Sequence, residues 1–382
     1  MALFYTKNTE INIMFERVRE VLDDREGVAR SWKEQGKKVV GWVCPYVPEE
    51  LIHAADMLPF RVMGAPVTIV KGDAYLYPNI CSFNRVVLEL ALGGRYDFLD
   101  GVVTANVCDH IRRLYDAWHF FLDTPLKLIL SLPHKTAENA VAHFEDELLK
   151  FKNSLERLSG AEISDSALKN SIKTYNRARE LLRRIYELRR EDEPPISGAE
   201  ALEVVKAGMS LPKEEYVALL EELFENLEQR DKRYKSNARI MITGSDLDDP
   251  GFVKLIEDAG GVVVADDLCT GSRYFWEDVD VGGDTLEALA RRYLSPVLCA
   301  RMHPYEAHIE HIIKMAGDFN VDGIIFEALK FCDIYGGEYP LLRERLKEEG
   351  FDIPLLLLDR EYALSGVEQL KTRIQAFIES LS

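Results

Sequence analysis

Three cysteines, Cys81, Cys108 and Cys332, each stand where an apolar run gives way to a polar segment. Cys81 follows YLYPNI and opens SFNRVVLELAL, Cys108 closes FLDGVVTANVC, and Cys332 closes VDGIIFEALKFC. Thiolates gathered at strand ends can hold a soft metal centre. A helix that starts beside such a cysteine adds exposed N–H groups and the positive end of its dipole, which favour thiolate and anionic sulfur. Cys81 and Cys108 are expected at such positions, and Cys44 resembles them because Pro48 suits the first turn of PEELIHAADML.

The elements that must position these thiols come next. Short β-rich runs are expected at 37–44, 66–70, 98–108 and 126–133, and again at 238–245, 260–269, 296–302, 321–332 and 353–359. Segments of helical period lie between them, including EELIHAADML, DHIRRLYDAWHFFL, PGFVKLIEDAG and TLEALARRYL. Alternating strand and helix implies mainly parallel sheets with helices on their faces. From about 137 to 235 the pattern is helical and rich in Glu, Lys and Arg, broken by EPPISG. The expected fold class is therefore α/β, with open parallel-sheet domains over 1–136 and 236–382 and a helical insertion over 137–235. FLDGVVTANVC and VDGIIFEALKFC both carry Asp-Gly and two β-branched residues before a cysteine, which puts Cys108 and Cys332 at the ends of corresponding strands.

Ligands of open parallel sheets bind beyond the carboxyl ends of the strands. The residues that follow the expected strands include Cys44, Cys108, Ser245, Cys269 and Cys332, whereas Cys299 falls inside the run PVLCARM and is expected to serve packing. From the residues alone three readings stay open: a metal or iron–sulfur site, a nucleophilic cysteine at Cys44 or Cys108, and inert thiols lining a crevice. Glu49 and Glu50 begin a helix beside Cys44, where a carboxylate could act as a general base. Carboxylates are also favoured in any first helical turn. His53, three residues on, suits a packed surface position. GSDLDDPG at 244–251 follows a strand but lacks GxGxxG and the Walker lysine, so it does not read as a nucleotide loop.

Bulk properties narrow the class. The 382 residues are 47% hydrophobic and 29% charged, enough for more than one hydrophobic core. A net charge of -18 argues against nucleic acid as the main partner, since phosphate binding requires clustered Lys and Arg. The first twenty residues carry charges throughout, unlike a signal peptide, and no apolar run approaches the roughly 18 residues of a membrane span. A cytoplasmic protein without a membrane partner is expected. Six cysteines without a CxxC pair, and no HExxH, suggest neither a secreted disulfide framework nor the commonest zinc sites.

The segments GWVCPYVPEELIHAADMLPFRV, PNICSFNRVVLELAL, DGVVTANVCDHIRRLYDAW, ADDLCTGSRYF, FEALKFCD and EQLKTRIQAFIE resemble, in order and nearly end to end, the 2-hydroxyacyl-CoA dehydratase and benzoyl-CoA reductase family. The resemblance implies a subunit with two Rossmann-like domains holding a 4Fe–4S cluster between them. It carries the cluster ligands onto Cys81, Cys108 and Cys332, with Cys44 as the substitute should one fail, and leaves Cys44 and Cys269 as crevice residues. Three thiolates would leave one iron open to water or substrate. The family's ATP-hydrolysing iron–sulfur activator would deliver one electron, and an acyl-CoA thioester would be reduced to a ketyl radical anion. Glu50 is the preferred proton-handling residue, and a related second subunit is the implied partner. GDAYLYPNIC, DHIRRLYDAW and CTGSRYFWEDV lean towards benzoyl-CoA reductase. The alternatives are an (R)-2-hydroxyacyl-CoA dehydratase and a non-catalytic electron-relay or scaffold subunit.

Overall fold

The computed structural model describes residues 2–294, 299–362 and 366–381, with the side chains of 2–10 left aside. Its framework is two four-stranded sheets, each entirely parallel. The first consists of β1 (Val39–Trp42), β2 (Leu58–Arg61), β3 (Gly101–Ala105) and β4 (Leu126–Leu130), in the order β2-β1-β3-β4. The second consists of β5 (Ala238–Gly244), β6 (Gly261–Asp267), β7 (Gly323–Leu329) and β8 (Leu355–Arg360), in the order β6-β5-β7-β8. The two orders are the same, so β3 and β7 are equivalent. The chain is α/β with two Rossmann-like open sheets, as expected.

The Asp-Gly echo has a shared physical role. Asp100, just before β3, accepts the Val39 N–H at 2.8 Å, and Asp322, just before β7, accepts the Arg239 N–H at 2.7 Å. Each carboxylate clips the start of its sheet's third strand to the first, which fixes the register where the two must pair.

Two strand expectations are corrected. Val67 to Val70 form no strand; their N–H groups serve a loop, where Val70 and Gly72 donate to the Glu89 carboxylate at 2.9 and 2.7 Å. The strand is instead LPFR at 58–61, and Pro59 is tolerated there because β2 is an edge strand. In PVLCARM, 296–298 lie outside the described residues, while 299–302 turn, with Met302 N–H bonded to the Cys299 carbonyl at 3.0 Å.

The helical segment comprises Glu138–Ser159, Asp165–Glu187, Gly198–Ala207 and Lys213–Glu228. Ser197 and Glu200 close a capping box at the third of these. Asp165–Glu187 packs on Glu49–Ala54 of the first half and on Ser272–Phe275 of the second, and Gly198–Ala207 packs on Pro250–Asp258 and β6. These helices brace both sheets. Buried apolar residues run without interruption from the first sheet into them.

Candidate active site

Each cysteine's place follows from local structure. Cys81 is the N-cap of helix Ser82–Leu92, Cys108 of Asp109–Phe121 and Cys332 of Asp333–Glu348. Cys108 and Cys332 come just after β3 and β7, at the point in each sheet where the strand order reverses and a crevice opens. The Cys108 sulfur accepts the Ile111 N–H at 3.5 Å, and the Cys81 sulfur accepts from Asn84 Nδ2 at 2.8 Å. Phe331, immediately before Cys332, is held at φ 66°. That left-handed backbone costs a bulky residue roughly 1–3 kcal/mol, a strain retained where it aims a neighbour.

The halves meet at the carboxyl ends of both sheets, around a cavity of about 360 Å³. Cys81, Cys108 and Cys332 all line it, together with Cys44 and Cys269. All six thiols of the chain are free. Burial pushes the Cys81 and Cys44 thiols up to about 12 and Cys332 up to about 11, so as bare thiols they stay protonated at neutral pH. Burial thus disfavours the thiolate, the reactive species, at Cys44.

Sequence reasoning missed the charged wall of this cavity. Arg61, from the end of β2, lies over the Trp42 ring at 4.6 Å and its Nη2 is 3.5 Å from Asp246 Oδ1 across the two halves. Asp246 follows Ser245 in the segment set aside as a failed phosphate loop; burial raises it to about 6, against the pull of Arg61. His110 accepts the Cys81 N–H at 3.2 Å, and burial holds both His110 and His134 towards the neutral form. Burial works against the Arg301 cation, but the sulfurs of Cys299, Cys108 and Cys332 and the Tyr335 hydroxyl raise its pKa above the ordinary guanidinium value. Its Nε is buried with no hydrogen-bond partner. Position at a strand end was the only signal for Asp246, and proximity to Cys299 the only one for Arg301.

Among the described residues no three His, Cys, Asp or Glu side chains could hold a single metal ion. The three helix-capping thiols do suit a larger anionic group. Their helix N-termini and the under-satisfied Arg301 supply positive potential from several sides.

Glu50 is fully buried and does not line this cavity. It pairs with Arg179 and accepts the Tyr293 hydroxyl at 2.7 Å. Burial raises its carboxyl, but the Arg179 guanidinium outweighs burial and holds it below the usual range. Tyr293 in turn lines a smaller adjoining cavity with Cys44 and Cys269. Glu49 lies 3.8 Å from Lys213 Nζ, and His53 is bonded to Ser171 at 2.9 Å.

The sequence model of the family described as 2-hydroxyglutaryl-CoA dehydratase, D-component, matches residues 44–381. A benzoyl-CoA reductase subunit of Thauera aromatica is 31% identical over 330 residues, 84% of this chain and 86% of the relative. The beta subunit of lactoyl-CoA dehydratase of Anaerotignum propionicum is 30% identical over 379 residues, 96% of this chain and 100% of the relative. The beta subunit of (R)-2-hydroxyglutaryl-CoA dehydratase of Acidaminococcus fermentans is 28% identical over 382 residues, 97% of this chain and 100% of the relative. With a match that covers every strand after β1 and all six cysteines, the chain belongs to the 2-hydroxyglutaryl-CoA dehydratase D-component family.

Proposed function

We propose that this chain is the 4Fe–4S subunit of a radical acyl-CoA enzyme, with Cys81, Cys108 and Cys332 as the ligands of the cluster. One observation carries the reading: three helix-capping thiols, drawn from both halves, line one cavity at the carboxyl ends of both sheets. When bound there, the cluster supplies low-potential one-electron chemistry, fed by an ATP-hydrolysing iron–sulfur activator and directed at an acyl-CoA thioester. The chain's own residues do the rest. Arg301 offsets the negative charge of the sulfurs, and the apolar wall of Val43, Phe83, Ile111 and Leu329 limits water, which strengthens these electrostatics. Glu50 takes part in proton handling through the Tyr293 hydroxyl that it orients, and Asp246, which lines the larger cavity, offers a further carboxyl.

We favour benzoyl-CoA reduction, in keeping with the 31% identity to a benzoyl-CoA reductase subunit. The second reading, dehydration of an (R)-2-hydroxyacyl-CoA, is favoured by the fuller coverage of the dehydratase beta subunits. Each of these relatives is one subunit of an enzyme, which supports pairing with a related second chain, in a soluble compartment such as the cytoplasm; no helix among the described residues is long and apolar enough to cross a membrane. The deciding experiment offers benzoyl-CoA and a 2-hydroxyacyl-CoA separately to the anaerobic complex with activator, ATP and reductant. A dienoyl-CoA product supports the first reading and a 2-enoyl-CoA the second. Turnover of neither, with no acyl-CoA bound by an iron-loaded chain, would leave electron relay as its role.

A further inference from the structure

All six cysteines of the chain line two adjoining cavities. Cys44, Cys81, Cys108, Cys269 and Cys332 line the cavity of about 360 Å³, and Cys44, Cys269 and Cys299 line one of about 30 Å³ beside it. A cluster held by three thiolates accounts for only half of them.

The remaining three are drawn from the two halves in the reverse proportion, one from the first and two from the second. Cys81 and Cys108 come from the first half and Cys332 from the second, whereas Cys44 comes from the first half and Cys269 and Cys299 from the second. Cys81 lies in the connection from β2 to β3, and Cys299 in the equivalent connection from β6 to β7. Cys44 follows β1, and Cys269 follows β6.

The surroundings of the second set are cationic. Arg301 lines both cavities and donates from Nη1 to the Cys299 sulfur at 3.0 Å. Arg273 Nη1 is 3.7 Å from the Cys269 sulfur, and Arg292 completes the wall. Arg273 is already paired with Asp267 at 2.7 Å, but Arg301 has no carboxylate partner among the described residues and its buried Nε is unsatisfied, a costly arrangement beside packing thiols without an anion to face. The smaller cavity holds about one water, so a centre bound by these thiols must occupy the end of the larger cavity that Cys44 and Cys269 share.

We propose that Cys44, Cys269 and Cys299 form a second thiolate set, so that the crevice holds a second iron–sulfur unit beside the one on Cys81, Cys108 and Cys332. This rests on the cluster reading above and extends it; Cys299 becomes a ligand instead of a packing residue.

The test is the iron and acid-labile sulfide content of the full chain, purified and reconstituted without oxygen, with electron paramagnetic resonance of the reduced protein. About eight irons per chain are expected, against about four for a single 4Fe–4S cluster. Cys44→Ser, Cys269→Ser and Cys299→Ser should each lose up to about half of the iron and keep a spectrum from the remaining unit. About four irons in the unsubstituted chain, or undiminished iron in those three variants, would overturn the proposal. Undiminished iron in Cys81→Ser, Cys108→Ser and Cys332→Ser would instead overturn the reading beneath it. Circular dichroism melts identify any variant that has lost its fold, and the iron count of the unsubstituted chain decides the matter without any variant.

Discussion

Cys81, Cys108 and Cys332 owe their proposed role to three helix starts, and each can be tested singly. Replacement of any one by Ser should remove up to about half of the iron of the anaerobic protein, read by iron assay and by loss of visible absorbance. Glu50 poses a different question because it is an ionised carboxylate paired to a buried cation. Glu50→Gln removes the charge and leaves Arg179 uncompensated, at a cost of about 3–5 kcal/mol in a denaturant titration. A role confined to packing would lower stability alone; a role in proton handling would also change the pH profile of turnover in the surviving folded fraction. His308 gives a pH prediction with a defined sign. Burial lowers its pKa, but Asp267 at 3.0 Å and Glu338 at 2.5 Å outweigh this and raise it to about 10. A raised folded pKa contributes stability that is complete below the unfolded value of 6.5 and is lost as pH rises through about 10. Stability should therefore fall over that range by a few kcal/mol, and His308→Gln should flatten the fall.

At the scale of elements, the site depends on how closely the sheets' central strands approach at their carboxyl ends. Gly244, the last residue of β5, has φ 135°, and a Cβ there would stand 1.8 Å from the Glu327 carbonyl oxygen of β7. No side-chain rotation relieves a clash with backbone. Gly244→Ala should cost more than about 1 kcal/mol and lower the melting temperature by several degrees. Such a variant should also bind less iron, because β5 leads to Ser245, whose hydroxyl accepts the Leu329 N–H at 2.8 Å just before Cys332. Pro59 in β2 marks the opposite case. An edge strand needs no N–H on its outer side, so a sequence that seems to forbid a strand forms one.

For the whole molecule, the helical segment is the part that makes one site from two sheets. Its helices touch both halves, and its apolar faces join the core of the first sheet. We propose that the segments 1–136, 137–235 and 236–382 are organisational and that the middle one does not fold alone. A peptide of residues 137–235 should show no cooperative melt by circular dichroism, since Phe144, Leu148, Ile172 and Leu181 would lose their cover. The Arg61–Asp246 pair and the stacked Trp42–Tyr274 rings, 6.0 Å apart, tie the halves directly at the crevice.

The sequence by itself determined the α/β alternation, the repeat of the Asp-Gly strands and the helix starts at Cys81 and Cys108, because each is set by local periodicity, turn residues and capping. It also placed Cys108, Cys269 and Cys332 after strands, and the strand-end rule then pointed to a crevice. Only the tertiary structure decided which thiols share a cavity, since that depends on two sheets meeting across a span of chain that no local pattern encodes. The same holds for Arg301 and Asp246, whose neighbours give no sign that they will face sulfur, and for Glu50, which folding withdrew behind Tyr293. Cys299 is the plainest instance: within its own run it looks like packing, and in the folded chain it stands 3.0 Å from a buried guanidinium.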